Sequence, residues 1–190
     1  MSRSLNEISA LCRRAARGAG FSYGEAEDAA FAVRWLAERG LDGSAALRRC
    51  LDCRDTGGCN DERKRCGLRV GAALLDACEA DGEIGAIGAP LLMLPFLAKL
   101  AEMTGTETAI AGADGVAKDI ATLAKLPDGA ELRIATSSDA AQAPPTMPGA
   151  RVELSEDDLA RLMTFAARTY APATDASRLS GAGAGLSDND

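Results

Sequence analysis

The chain has 190 residues, is 47% apolar and 26% charged, and carries a net charge of -7, with an isoelectric point near 4.8. That length supports a domain with a real core, while the acidic balance argues against a nucleic-acid protein, which needs a concentrated cationic surface. The sequence contains no histidine, which removes Ser-His-Asp and Cys-His catalysis, histidine metal ligands and a histidine pH switch together.

Any general acid or base must therefore be Asp, Glu, Cys, Tyr or Lys. Aromatic residues make up only 4% of the chain, so the core must be built from Ala, Leu, Ile and Val. Residues 1–20 read as a charged amphipathic helix rather than a secretory leader. The longest uncharged run, Ile84 to Ala98, has 15 residues with two prolines and two glycines. It is shorter than the roughly 20 apolar residues a membrane-spanning helix needs. A cytoplasmic protein without membrane or nucleic-acid partners is expected, its six cysteines reduced unless a metal claims them.

Ser4-Leu-Asn-Glu7 is a capping box that opens a first helix. Leu5, Ile8, Cys12, Ala15 and Ala19 fall on one face, with Asn6, Arg13 and Arg17 opposite. Gly18 and Gly20 end it, and arginines in its last turns suit the helix dipole. Ser22-Tyr-Gly-Glu25 is a second capping box with Phe21 and Ala26 as a hydrophobic staple, so the two helices form a hairpin. The second helix runs to about Arg39 and buries Ala26, Ala29, Ala30, Val33 and Ala37. Phe31 and Trp35 project on nearly the other side, so both faces are covered within the fold or the aromatic pair forms a partner surface.

Asp42 starts a short third helix through Cys53. The following Arg54 to Arg65 is charged and glycine-broken and reads as an exposed loop. Leu68 to Ala77 fits a buried strand or a helix. Ile84 to Ile87 reads as a brief strand. Pro90 suits the first turn of a helix running to about Met103 and closed by Gly105, with Pro95 kinking it or marking its true start. Apolar all round from Leu91 to Leu97, this helix is expected to be central and buried. Thr108 to Gly112 and Glu131 to Thr136 read as strands, Val116 to Leu126 as helix or strand, Ala140 to Gly149 as a surface connection and Arg151 to Leu154 as a short strand. Ser155 caps a late amphipathic helix whose buried stripe is Leu159, Leu162, Met163 and Ala166. The composite is an α+β fold: an N-terminal helical hairpin, a central buried helix, a small mixed sheet and a late helix. Residues 1–170 are expected to form one globular domain, and residues 171–190 a Gly-rich tail docked on it.

Two groups of residues bear chemistry. Cys50-x2-Cys53-x5-Cys59-x6-Cys66 spans a loop too polar to fold by itself, which a structural zinc bound by four thiolates would explain. The second half lacks its own C-x2-C hook, so disulfide formation and unremarkable thiols are competing readings. In the tail, Ser177, Arg178 and the backbone of Gly181 and Gly183, with Tyr170 as an anchor, compose a site for a small anion, Arg178 binding a carboxylate or phosphate. The competing reading pairs Arg178 with Asp175 or leaves the tail frayed.

The run Ser177-Arg178-x-x-Gly181-Ala-Gly183-Ala-Gly185-Leu-x-Asp188-Asn189-Asp190, with Ser4-Leu-Asn-Glu7, Ala15-Ala-Arg17-Gly-Ala-Gly20, Trp35-Leu and Gly40-Leu, resembles a bacterial family of small proteins of unknown function. The resemblance implies kinship and no activity. A non-catalytic accessory module that binds a small anionic ligand or a protein partner is the preferred reading. The alternative is a small-molecule enzyme whose site is completed by Ser177 and Arg178.

Overall fold

Ser4 and Ser22 each accept a hydrogen bond from the amide three residues on, while Glu7 and Glu25 each accept from the cap amide in return, at 2.7–3.2 Å. These two boxes start α1 (Leu5–Gly18) and α2 (Tyr23–Ala37). Gly20, at φ 88°, turns the chain between them, a conformation that disfavours a β-carbon. Phe21 and Ala26 are both buried, within the same hydrophobic cluster. The computed structural model describes residues 2–57, 65–79, 81–106, 108–112, 120–127, 129–136, 145–147 and 151–170.

Asp42 caps α3 (Gly43–Asp55) through the Ala45 amide. Leu68 to Ala77 resolves as helix, within α4 (Gly67–Ala77). Its glycines permit close packing: a β-carbon on Gly67 would lie 2.5 Å from the Ala89 carbonyl oxygen, and one on Gly71 would lie 2.7 Å from the Phe96 ring. Pro90–Met93 forms a 3-10 turn and α5 (Leu94–Thr104) follows with Pro95 in its first turn. Proline thus marks the start of the α-helix, where its missing N–H costs no hydrogen bond. Gly105 closes α5 in the left-handed conformation. The ambiguous run around 116–126 contains α6 (Ile120–Lys125).

The sheet is mixed. Its order is β2 (Arg65–Cys66), β3 (Gly82–Gly88), β5 (Ala130–Thr136) and β4 (Thr108–Gly112). β2 runs parallel to β3, and the other pairings are antiparallel. A second, two-stranded pairing was not foreseen: β1 (Ser2–Ser4) lies antiparallel to β6 (Arg151–Glu153). In this register Ser4, the cap of α1, lies opposite Arg151, and Glu153, two residues before the cap of α7 (Glu156–Ala167), lies opposite Ser2. Ser155 caps α7 by accepting from the Asp158 amide at 3.0 Å.

The observed α+β architecture therefore contains the expected hairpin, central helix, small mixed sheet and late helix; the docked tail lies outside the described residues. Two buried clusters share the central segment. Leu91, Leu92 and Phe96 join the helical cluster of α1, α2, α3 and α7, while Met93, Leu97 and Leu100 join the cluster against the sheet. Phe31 and Trp35 are half-buried against the first cluster. Phe31 meets Phe96 edge-on with centroids 5.5 Å apart, and Trp35 lies under the Arg39 guanidinium at 3.8 Å. Internal contacts thus take up both rings. On α7 the expected stripe needs one correction. Leu159, Leu162, Phe165 and Ala166 are buried, but Met163 is 53% exposed. Phe165 fills the interior where α1 crosses α7, which leaves Met163 on the outer edge.

A candidate anion site in an arginine cleft

Arg13, Arg14 and Arg17 leave α1 on the side turned away from the core, since Ile8, Leu11, Cys12, Ala15 and Ala16 occupy the other. The hairpin then folds Tyr23 and Glu27 of α2 back toward that face, and α7 delivers Arg168 and Thr169 from the far end of the sequence. Together these residues line a cleft of about 480 Å³, within the size range of small-molecule sites. Among the described residues, four guanidinium groups meet there with one carboxylate, that of Glu27, in a chain whose net charge is -7.

The four are held differently. Arg13 donates to Glu27 at 3.0 Å. Arg168 donates to both carboxylate oxygens of Asp55 on α3, at 2.5 and 3.0 Å, a two-pronged geometry that also fixes its orientation. The hydrogen bond from Arg168 holds the Asp55 carboxyl below its ordinary value, with Arg161 adding to the effect, and Asp55 in turn raises Arg168. Arg14 donates to the Tyr170 hydroxyl at 2.9 Å. Arg17 donates to the Phe21 carbonyl and lies over the Tyr23 ring at 3.8 Å. Among the described residues, neither Arg14 nor Arg17 is paired with a carboxylate. Both are oriented by neutral partners.

Arg14 also borders a second depression. Arg3, Glu7, Ala10, Leu11 and Arg14 of the α1 side, with Leu159, Met163, Ala166, Ala167 and Tyr170 of the α7 side, line a groove of about 420 Å³. Arg3 and Glu7 close its far end as an ion pair at 3.6 Å.

Of the residues singled out in the sequence for anion binding, Tyr170 lies at this junction and is 61% exposed. Ser177, Arg178, Gly181 and Gly183 lie outside the described residues. Of the four cysteines proposed as metal ligands, Cys50 and Cys66 are joined by a disulfide, their Cα atoms 6.4 Å apart. The expectation of reduced thiols does not hold for this pair, because β2 places Cys66 beside the last turns of α3, within bridging range. Sulfurs committed to a disulfide do not act as thiolate donors in that state. Cys53 is a half-buried free thiol, and Cys59 lies outside the described residues. Among the described residues no three acidic, cysteine or histidine side chains are grouped to hold a metal ion. Cys12 is fully buried, and that burial, with Asp42 adding, pushes its thiol far up and leaves it inert.

The arginine cleft itself was missed in the sequence. The available signal was the i, i+4 spacing of Arg13 and Arg17 on the polar face of α1, facing a hairpin partner that begins with tyrosine. Arg168, more than 150 residues away, could be added only by the fold.

Residues 3–70 match the model of a family described as "Protein of unknown function (DUF3726)". The matched stretch contains the helical hairpin and α3, and with them Arg13, Arg14, Arg17, Tyr23 and Glu27. The resemblance read from Ser4–Glu7 and Ala15–Gly20 falls inside it; α7 and residues 177–190 fall outside it. The chain matches no curated protein and no solved structure. No helix among the described residues is long and apolar enough to cross a membrane.

Proposed function

We propose that the chain is a non-catalytic binding module for small anions, with the arginine cleft as its site. The observation that carries this reading is the convergence of four guanidinium groups in one cleft of an acidic chain, two of them unpaired with any described carboxylate. An arginine presents a planar set of donors that matches a carboxylate or phosphate and stays charged at every physiological pH. Such a lining recognises charge without moving a proton. Thr169, the one aliphatic hydroxyl in the described lining, donates to the Ala166 carbonyl at 2.8 Å and has no neighbouring histidine to activate it, since the chain has none.

The test is isothermal titration of the full chain with inorganic pyrophosphate at low ionic strength, where exposed charges are least screened. Saturable binding is expected, weakened at least tenfold by Arg14→Ala and by Arg17→Ala and partly preserved in Arg17→Lys, which keeps charge and loses the planar fork. Arg133→Ala, on the sheet, should change nothing. No saturable binding, or an equal loss in Arg133→Ala, would overturn the reading.

A further inference from the structure

The groove between α1 and α7 is not separate from the arginine cleft, because Arg14 lines both and its guanidinium donates to Tyr170 where they meet. Its walls follow a regular pattern. On the α1 side the lining falls at residues 3, 7, 10, 11 and 14, and on the α7 side at 159, 163, 166, 167 and 170. Residues 7, 10, 11 and 14 of α1 and residues 159, 163, 166 and 167 of α7 each fall on one helical face, with Arg3 on β1 and Tyr170 just past α7 extending the two sets. Seven to eight helical steps at about 1.5 Å each give a channel roughly 11 Å long between the helices. Between its ends the described lining is apolar, apart from Glu7. That carboxylate is drawn to the far end by Arg3 and by the Ser4 amide.

The exposed apolar side chains gather here. Among the described residues five large apolar side chains are strongly exposed: Tyr23, Met103, Met147, Met163 and Tyr170. Three of them line the connected depressions, Tyr23 in the cleft and Met163 and Tyr170 in the groove. Methionine adapts its shape to flexible chains, and Ala10, Ala166 and Ala167 leave room along the floor. Positive charge lies at one end of the channel, apolar walls along its length, and a closed ion pair at the other end.

We infer that the ligand is a free amphiphile, a single aliphatic chain of about eight carbons bearing a carboxylate or phosphate head, with the head on Arg14 and Arg17 and the chain laid between α1 and α7. This rests on the anion-binding reading of the cleft and adds the apolar half of the ligand. Each methylene laid in the groove leaves water, so affinity should climb with chain length until the groove is filled.

The experiment compares inorganic phosphate with butyl, octyl and dodecyl phosphate, each below its micelle concentration, on the full chain by titration calorimetry. The octyl and dodecyl esters are expected to bind at least tenfold tighter than phosphate. Met163→Glu, at an exposed position that does not threaten folding, should abolish that gain while leaving phosphate affinity unchanged. Arg14→Ala should weaken both head and ester. Equal affinities for phosphate and all three esters would overturn the amphiphile and leave the anion site standing. No binding of any of them would overturn both. Tight ester binding that survives Arg14→Ala, or binding only to vesicles of anionic lipid and not to the monomeric esters, would also overturn it.

Discussion

Asp55 holds two arginines of α7 at once: Arg168 through both carboxylate oxygens and Arg161 at 3.2 Å. Arg161 also donates to Asp52 at 2.6 Å, and Arg48 joins Asp52 to Asp158, so the ends of α3 and α7 are linked by a continuous ionic chain. The folded Asp55 carboxyl is held below its ordinary value. A depressed acid stabilises the fold at pH values above its unfolded value of about 3.9 and loses that contribution as pH falls through the lower folded value. Melting temperatures of the parent chain and Asp55→Asn should therefore differ at pH 7 and converge toward pH 2. A gap that stayed constant with pH would mean that packing, not ionisation, makes the difference. The same carboxylate orients Arg168 in the cleft, so the residue that braces the helices also shapes the anion site.

At the scale of elements, α1 packs tightly against α7 at Gly18. A β-carbon on Gly18 would sit 1.8 Å from the Phe165 carbonyl oxygen, an overlap that only backbone movement relieves. Gly18→Ala should then cost about 1–3 kcal/mol by overpacking and, by parting the two helices, weaken pyrophosphate binding. Gly24, on the open side of α2, has nothing within 4 Å of the same added carbon. There the substitution should be neutral or stabilise by up to about 1 kcal/mol through helix propensity. Urea midpoints of the two variants check the opposite signs; matching shifts would refute the steric argument.

The same contrast explains what the sequence revealed. Capping boxes at Ser4 and Ser22, the staple at Phe21, and the strands around Ile84, Ile110 and Ile134 are local signals written within a few residues, and they were legible. The pairing of Ser2–Ser4 with Arg151–Glu153 was not, because three-residue polar strands carry no periodicity. Nor was the cleft, since Arg168 reaches it only through an ion pair with a residue 113 positions earlier. Tyr170 was singled out as an anchor for a site farther along the chain, which lies outside the described residues, and its exposed ring borders the groove beside Arg14.

For the molecule as a whole, the question is whether the helical half and the sheet half fold as one unit. The hydrophobic clusters on either side meet at Pro90–Leu100: Leu92 and Phe96 face one, Met93, Leu97 and Leu100 the other. Each turn of this segment thus alternates between the two cores, and a loss on one side disturbs the helix that supports the second. Phe96 is the most informative position, being 2% exposed, edge-on to Phe31 and pressed against Gly71. Phe96→Ala should cost about 3–5 kcal/mol, which for a chain of this size lowers the melting temperature by about 6–20 °C. If the segment couples the cores, the loss appears equally in both. Fluorescence of Trp35, the sole tryptophan, reports on the helical side, and hydrogen exchange of the β4 and β5 amides reports on the sheet. Coincident transitions in the parent chain and a common shift in the variant would establish one cooperative unit. Amides of β5 that stayed protected after the Trp35 signal had melted would show two units joined by a shared helix. In that case the arginine cleft, whose described lining comes from α1, α2 and the end of α7, would depend for its stability on the helical half.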